Sequence, residues 1–197
     1  FSFYILLFFA VPILLETDFI LTIWLKQYPD HTLNFVRLVL ILSLVDSLSN
    51  TLITLQNATG RIRNYQLVVG GILLLNFPLS YACLKLGMAP ESTYLVAIAV
   101  GIMCLLVRLM FVRKTAQLSM GSFVKNVVLN VAMVTAASII LPYIIHSLLP
   151  YGWGRFVIVG FVSVLASAFS ILLIGCNKNE RSFILSKMKA VKDRFKR

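Results

Sequence analysis

Six long apolar runs, separated by short segments with Gly, Pro, Asn or charge, dominate this sequence. They are Phe1–Leu15, Leu33–Leu55, Leu67–Leu86, Thr93–Val112, Val124–Leu149 and Phe156–Ile174. A helix that crosses a bilayer needs roughly 20 mostly apolar residues, whereas a membrane β-strand alternates over about ten. These runs do not alternate, so the sequence predicts an all-α membrane protein with a bundle of six transmembrane helices.

The second run carries polar residues in its middle. At about 100° per residue, its polar side chains fall within one sector of about 100°; they are Ser43, Asp46, Ser47, Asn50, Thr54 and Asn57. A carboxylate at the centre of a span costs about 2.5–3.5 kcal/mol on insertion scales. This face is therefore predicted to avoid lipid and to point into a bundle or a water-filled cavity.

Two interpretations of this polar face stay open. Asp46 either lines a polar path or is a buried, hydrogen-bonded structural acid, and the Ser and Thr residues alone are typical of residues that join helices by hydrogen bonds. Arg37 is nine residues earlier, about 13 Å along the helix and on its opposite side, so it is not the expected partner. If Asp46 has a cationic partner, that partner is expected on the missing part of the protein.

Composition agrees with the membrane interpretation. The 197 residues are 59% apolar and 13% charged, and the mean hydropathy is +0.92. A soluble domain of this size needs more polar residues to cover its surface.

The net charge is +11, and the basic residues behind it are divided unequally between the two sides of the membrane. With loops assigned alternately to two sides, fourteen of the eighteen Lys and Arg residues fall on one side, and four of the seven acids fall on the other. This is the positive-inside rule, so the C-terminus is predicted to be cytoplasmic. The charge orients the protein and gives no reason to expect nucleic acid as a partner.

The basic tail, residues 176–197, has a further pattern. Ile184, Met188, Val191 and Phe195 recur at helical spacing among Lys and Arg. Such a segment is either an amphipathic helix on anionic membrane lipids or a solvated tail.

Motifs for covalent chemistry are absent from the sequence. There is no nucleotide-binding, zinc-protease or serine-hydrolase motif. Cys83, Cys104 and Cys176 have no metal-site spacing, and His31 and His146 lie far apart. The sequence predicts no enzyme activity, no metal and no cofactor.

Three segments resemble a known family. Pro12–Pro29 (PILLETDFILTIWLKQYP), Leu52–Gly87 (with ATGRIRNYQ and PLSYACLKLG) and Arg155–Ile184 (with NERSF) are similar to the C-terminal part of bacterial lipopolysaccharide or capsule biosynthesis flippases. These belong to the multidrug/oligosaccharidyl-lipid/polysaccharide exporter superfamily.

The resemblance implies one part of a MATE-like two-lobe transporter in the bacterial inner membrane. Residues 1–112 would be four helices of the C-terminal lobe and residues 113–175 two additional helices, with an amino-terminal lobe missing. The cargo would be an undecaprenyl-pyrophosphate-linked oligosaccharide, moved by alternating access along Ser43, Asp46, Ser47, Asn50 and Thr54. Arg61 and Arg63 would either contact the pyrophosphate or act only as positive charges that orient the protein in the membrane.

Other functions stay open. One is a cation-coupled MATE-type drug or metabolite exporter in which Asp46 binds a coupling ion, H⁺ or Na⁺. Another is a membrane assembly protein without transport. A membrane-embedded glycosyltransferase is disfavoured because the loops are short.

Overall fold

The computed structural model describes residues 2–60, 62–116, 127–176 and 181, which are almost entirely helical. Its helices are α1 (Ser2–Leu15), α2 (Thr17–Leu25), α3 (Thr32–Ala58), α4 (Arg63–Leu74), α5 (Asn76–Lys85), α6 (Ser92–Ala116), α7 (Leu129–Leu148) and α8 (Trp153–Ser170), and α8 continues as a π-helical turn, Ile171–Gly175. This confirms the predicted all-α class.

Five helical segments are long and apolar enough to cross a membrane. They are Thr32–Ala58, Arg63–Lys85, Ser92–Arg113, Leu129–Leu148 and Trp153–Gly175. These correspond to the second to sixth predicted runs, and the protein is a multi-pass membrane protein. The predicted basic tail lies outside the described residues, apart from Cys176 and Arg181.

The first run is the first half of a bent helix pair, which makes a sixth span if the pair counts as one. It forms α1, but the chain continues after a bend of 75° at Glu16 into α2, a segment that the sequence assigned to a loop. The nine residues of α2 are mostly apolar, and too few for hydropathy alone to separate them from a loop.

The third run is interrupted at Leu75, between two helices. Helix α4 ends at Leu74 and α5 begins at Asn76, with Pro78 in the first turn of α5. Proline has no backbone N–H to donate but fits the first turn, where that donor is unused. The chain therefore restarts a helix at this point within one apolar segment.

The helices pack side by side, with α3 between two groups. On one side α3 contacts α6, which in turn packs on α4 and α5; on the other side it contacts α1, which packs on α7 and α8. Three apolar clusters hold these contacts: Tyr65, Val69, Val100 and Cys104; Leu52, Leu109 and Val112; Leu7, Val11 and Val134. This order leaves part of the α3 surface without a neighbour.

The loops fall at two ends of the bundle. At one end, which we call the His31 end, a His31–Glu91 contact joins the α2–α3 and α5–α6 loops, and Tyr151 in the α7–α8 loop contacts Thr22 of α2. The α3–α4 turn before Arg63 lies at the opposite end, because α3 is a single continuous helix. This alternation agrees with the assignment of loops used for the charge count.

Candidate functional site

Most of the polar face predicted on α3 lies in the part of that helix that none of the described helices covers. Asp46, Asn50 and Thr54 are exposed, and Ser43 is half-buried. Ser43 and Thr54 satisfy their hydroxyl groups within the helix, by donating to the carbonyl oxygens of Val39 (2.9 Å) and Asn50 (3.0 Å). The side chains of Asp46 and Asn50 have no hydrogen-bond partner in the described part of the chain.

Ser47 lies at one edge of this face, where α3 meets α1. Its side chain is 7% exposed and donates to the carbonyl oxygen of Leu44 at 3.1 Å. Leu44, on the same side of the helix, packs on Leu7 and Val11 of α1. Ser47 is therefore packed in the contact between α3 and α1, whereas Asp46 and Asn50 are exposed.

Helix α6 forms the other edge. A side-chain carbon built on Gly101 would lie 3.9 Å from Oδ1 of Asp46, so the carboxylate borders the backbone of α6 at this point. Cys104 and Arg108, three and seven residues after Gly101, lie on the same side of α6, and Cys104 is buried. The carboxylate and the guanidinium thus lie along the same edge, although no ion pair within 4.0 Å joins them in the described residues.

Arg108 is a residue that the sequence interpretation missed. It was counted as a charge at the basic end of α6, yet it lies inside the span Ser92–Arg113, is half-buried, and has a buried Nε atom without a hydrogen-bond partner. Its spacing of seven residues from Gly101 and four from Cys104 is the signal that places it on the same helix side.

Glu16 is a second missed residue. The sequence places it between two apolar runs, but the Glu16 side chain is only 1% exposed. Nη2 of Arg155 donates to its Oε2 at 3.2 Å, Nε of Arg155 lies 3.1 Å from its Oε1, and Nε2 of His146 lies 3.8 Å from Oε1. Arg155 lies on the side of the membrane that has few basic residues in the charge count. That exception was the only sequence signal that it has a partner.

Aromatic side chains surround this ion pair. The ring of Phe19 in α2 packs on Tyr151, Trp153 and Phe156, with centroid distances of 5.0–5.5 Å. The guanidinium of Arg155 lies 4.7 Å from the centre of the Tyr151 ring. Because these contacts join α2 to the start of α8, the Glu16–Arg155 pair fixes the corner between α1 and α2.

The predicted headgroup residues lie elsewhere. Arg63 is the first residue of α4 and is exposed at the end opposite His31. The dipole of α4 adds positive potential at that position. Arg61 lies outside the described residues.

No group of three His, Cys, Asp or Glu side chains that could hold a metal ion is found across the described ranges. No protein-family model, curated protein or solved structure matches this chain. The family resemblance therefore stays a prediction from the sequence, and the site has to be interpreted from its own geometry.

Proposed function

We propose that this chain is part of a membrane transporter that moves a lipid-linked oligosaccharide across a bacterial inner membrane by alternating access, with the α3 face lining the path. The single observation that carries the proposal is the uncovered polar face of α3 within an apolar bundle. Hydrocarbon offers no partners for Asp46 and Asn50, so exposing them to lipid costs several kcal/mol. A hydrated path shared with a second body removes that cost.

The chemistry along this face suits a glycan. Sugar hydroxyl groups need both donors and acceptors, and Asp46, Asn50 and Arg108 supply a carboxylate, an amide and a guanidinium. A pyrophosphate needs cations, which Arg108 offers inside the span and Arg63 at its end. The lipid tail of such a cargo stays in the bilayer, so the path needs to accept only the headgroup.

One observation favours a second candidate, a cation-coupled exporter. Asp46 has no ion pair among the described residues, so its carboxylate is free to bind H⁺ or Na⁺. In that case Asp46 is the coupling site, and Asn50 and Arg108 contribute little.

Water access to the α3 face is the first test. In the intact protein, with the three native cysteines replaced by alanine, we expect Asn50→Cys to react at least about tenfold faster with a membrane-impermeant thiol reagent than Leu106→Cys, because thiolates form in water and not in hydrocarbon. Leu106 is the matched control, because it is 56% exposed on another side of α6. Equal and slow labelling of both positions would end the proposal.

Transport itself is the second test. We expect Asp46→Asn, Asn50→Ala and Arg108→Gln each to lower the rate at which lipid-linked oligosaccharide reaches the opposite leaflet, with Asp30→Asn as the exposed control. If only Asp46→Asn acts, and also abolishes dependence on pH or Na⁺, the cation-coupled candidate replaces the glycan path. If all three variants transport normally, the chain is an assembly protein rather than a transporter.

A further inference from the structure

A groove at the His31 end is independent of the polar face of α3. It has a volume of about 420 Å³ and lies between the first turns of α3 and α6. The lining that matters here is Asn34, Arg37, Leu38, Glu91, Ser92 and Leu95. Both helices begin their membrane spans here, which is the level of lipid headgroups.

Only one of the two carboxylate oxygens of Glu91 has a side-chain hydrogen-bond partner among the described residues. Nδ1 of His31 lies 2.5 Å from Oε1, and Nδ2 of Asn34 donates to the same oxygen at 3.0 Å. The Asn34 hydrogen bond, then a backbone contact at Glu91 itself and then the His31 contact lower the pKa of Glu91 from 4.5 to about 2, so the carboxylate is charged at neutral pH. Its Oε2 is buried and has no hydrogen-bond partner.

Two further polar groups of the groove lack a hydrogen-bond partner among the described residues. Arg37 has a buried Nε without a hydrogen-bond partner, and no ion pair within 4.0 Å links it to Glu91 in the described ranges. Ser92 is 5% exposed and its hydroxyl likewise has no partner. Ser92 is also the first residue of the 25-residue helix α6, whose N-terminal dipole favours a negative group.

Two opposite charges that share a groove without pairing call for a ligand that carries both. We propose that this groove binds a zwitterionic phospholipid whose headgroup is phosphoethanolamine. Arg37 and Ser92 hold the phosphate, Oε2 of Glu91 accepts a hydrogen bond from the ammonium group, and an acyl chain lies along Leu38 and Leu95. A primary ammonium is required because a trimethylammonium group has no N–H to donate to Oε2.

The test is a lipid titration of the delipidated, detergent-purified protein. Phosphatidylethanolamine, phosphatidylcholine and phosphatidylglycerol with identical acyl chains are compared by native mass spectrometry, beside free phosphoethanolamine. We expect phosphatidylethanolamine to bind about tenfold more tightly than the other two lipids, since phosphatidylcholine has no N–H to donate to Oε2 and phosphatidylglycerol offers only neutral hydroxyl donors. Equal affinity for the three lipids overturns the proposal, and free phosphoethanolamine that binds as tightly as the lipid overturns the assignment to a lipid.

Matched variants assign the roles. Glu91→Gln is expected to remove the preference for phosphatidylethanolamine over phosphatidylglycerol, and Arg37→Gln to weaken both by about tenfold, because charge-assisted bonds are the strong ones. Asp30→Asn and Lys26→Gln remove the same charges from exposed positions at the same end and should change nothing. Among the described residues Arg37 has no hydrogen-bond or ion-pair partner to lose, so unchanged lipid affinity in Arg37→Gln contradicts the proposal even if Glu91→Gln folds poorly.

Discussion

Removal of the Glu16 carboxylate should be among the most destabilising single changes in the described part of the chain. In Glu16→Ala the guanidinium of Arg155, whose side chain is 11% exposed, loses both of its close contacts, at 3.1 and 3.2 Å. Breaking a buried pair by removing one partner costs about 3–5 kcal/mol, because the remaining charge is left without compensation. That cost corresponds to a factor of about 10²–10⁴ in the folding equilibrium.

The assay is reversible unfolding in mixed micelles with increasing SDS, followed by the fluorescence of Trp153, whose ring lies 5.2 Å from that of Phe19. Arg155→Ala should cost a similar amount, and the double variant should cost clearly less than the sum of the two single variants. Asp30→Ala, at an exposed acid without a partner in the described ranges, should stay within about 0.5 kcal/mol of the unmodified protein. Additive single costs, or a loss below about 1 kcal/mol in Glu16→Ala, would refute the reasoning.

Three further predictions concern other positions. Gly101→Ala should fit, because the nearest atom to the new carbon is 3.6 Å away, and should gain up to about 1 kcal/mol of helix stability in the same assay; Gly101→Leu should displace Asp46 and slow transport. The pKa of Glu91 is lowered to about 2, so the charged carboxylate stabilises the fold above pH 4.5, and this stability is lost as the pH falls towards 2. In a stability profile from pH 2 to 6, Glu91→Gln should not show this loss at acid pH. The hydrogen bond from Tyr28 to Asp18 (2.5 Å) raises the pKa of Tyr28 above 10, so its contribution is present below pH 10 and is lost as the pH rises past the raised value. Tyr28→Phe should lack this alkaline loss, and tyrosinate absorbance checks the titration.

The spans were predictable because hydrophobicity alone largely determines where a membrane helix forms. A run of about 20 apolar residues has few alternatives to a membrane helix, so the five spans follow from hydropathy. The polar sector on α3 was predictable for a similar reason, since helical periodicity alone brings Asp46 and Asn50 to one face.

Residues whose positions depend on packing were not predictable. Glu16 and Arg155 are 139 positions apart, and nothing local in either segment indicates that they meet. Arg108 was assigned by counting charges, and only the packing of α6 on α3 brings it to the edge that Asp46 borders. Helix α2 was too short for hydropathy to identify, and its contacts with Tyr151 and Trp153 come from the far end of the chain.

The distance in sequence between Glu16 and Arg155 also sets an order of events during biosynthesis. At about 5–20 residues per second, a ribosome adds the 139 intervening positions in roughly 7–28 s. Throughout that interval Arg155 has not been made, so the contact that fixes the α1–α2 corner has to wait for the eighth helix. A nascent chain stalled before Trp153 would therefore hold its first two helices in a different arrangement from the finished protein, and cross-linking between Phe19 and residues of the last helix would date the moment of closure.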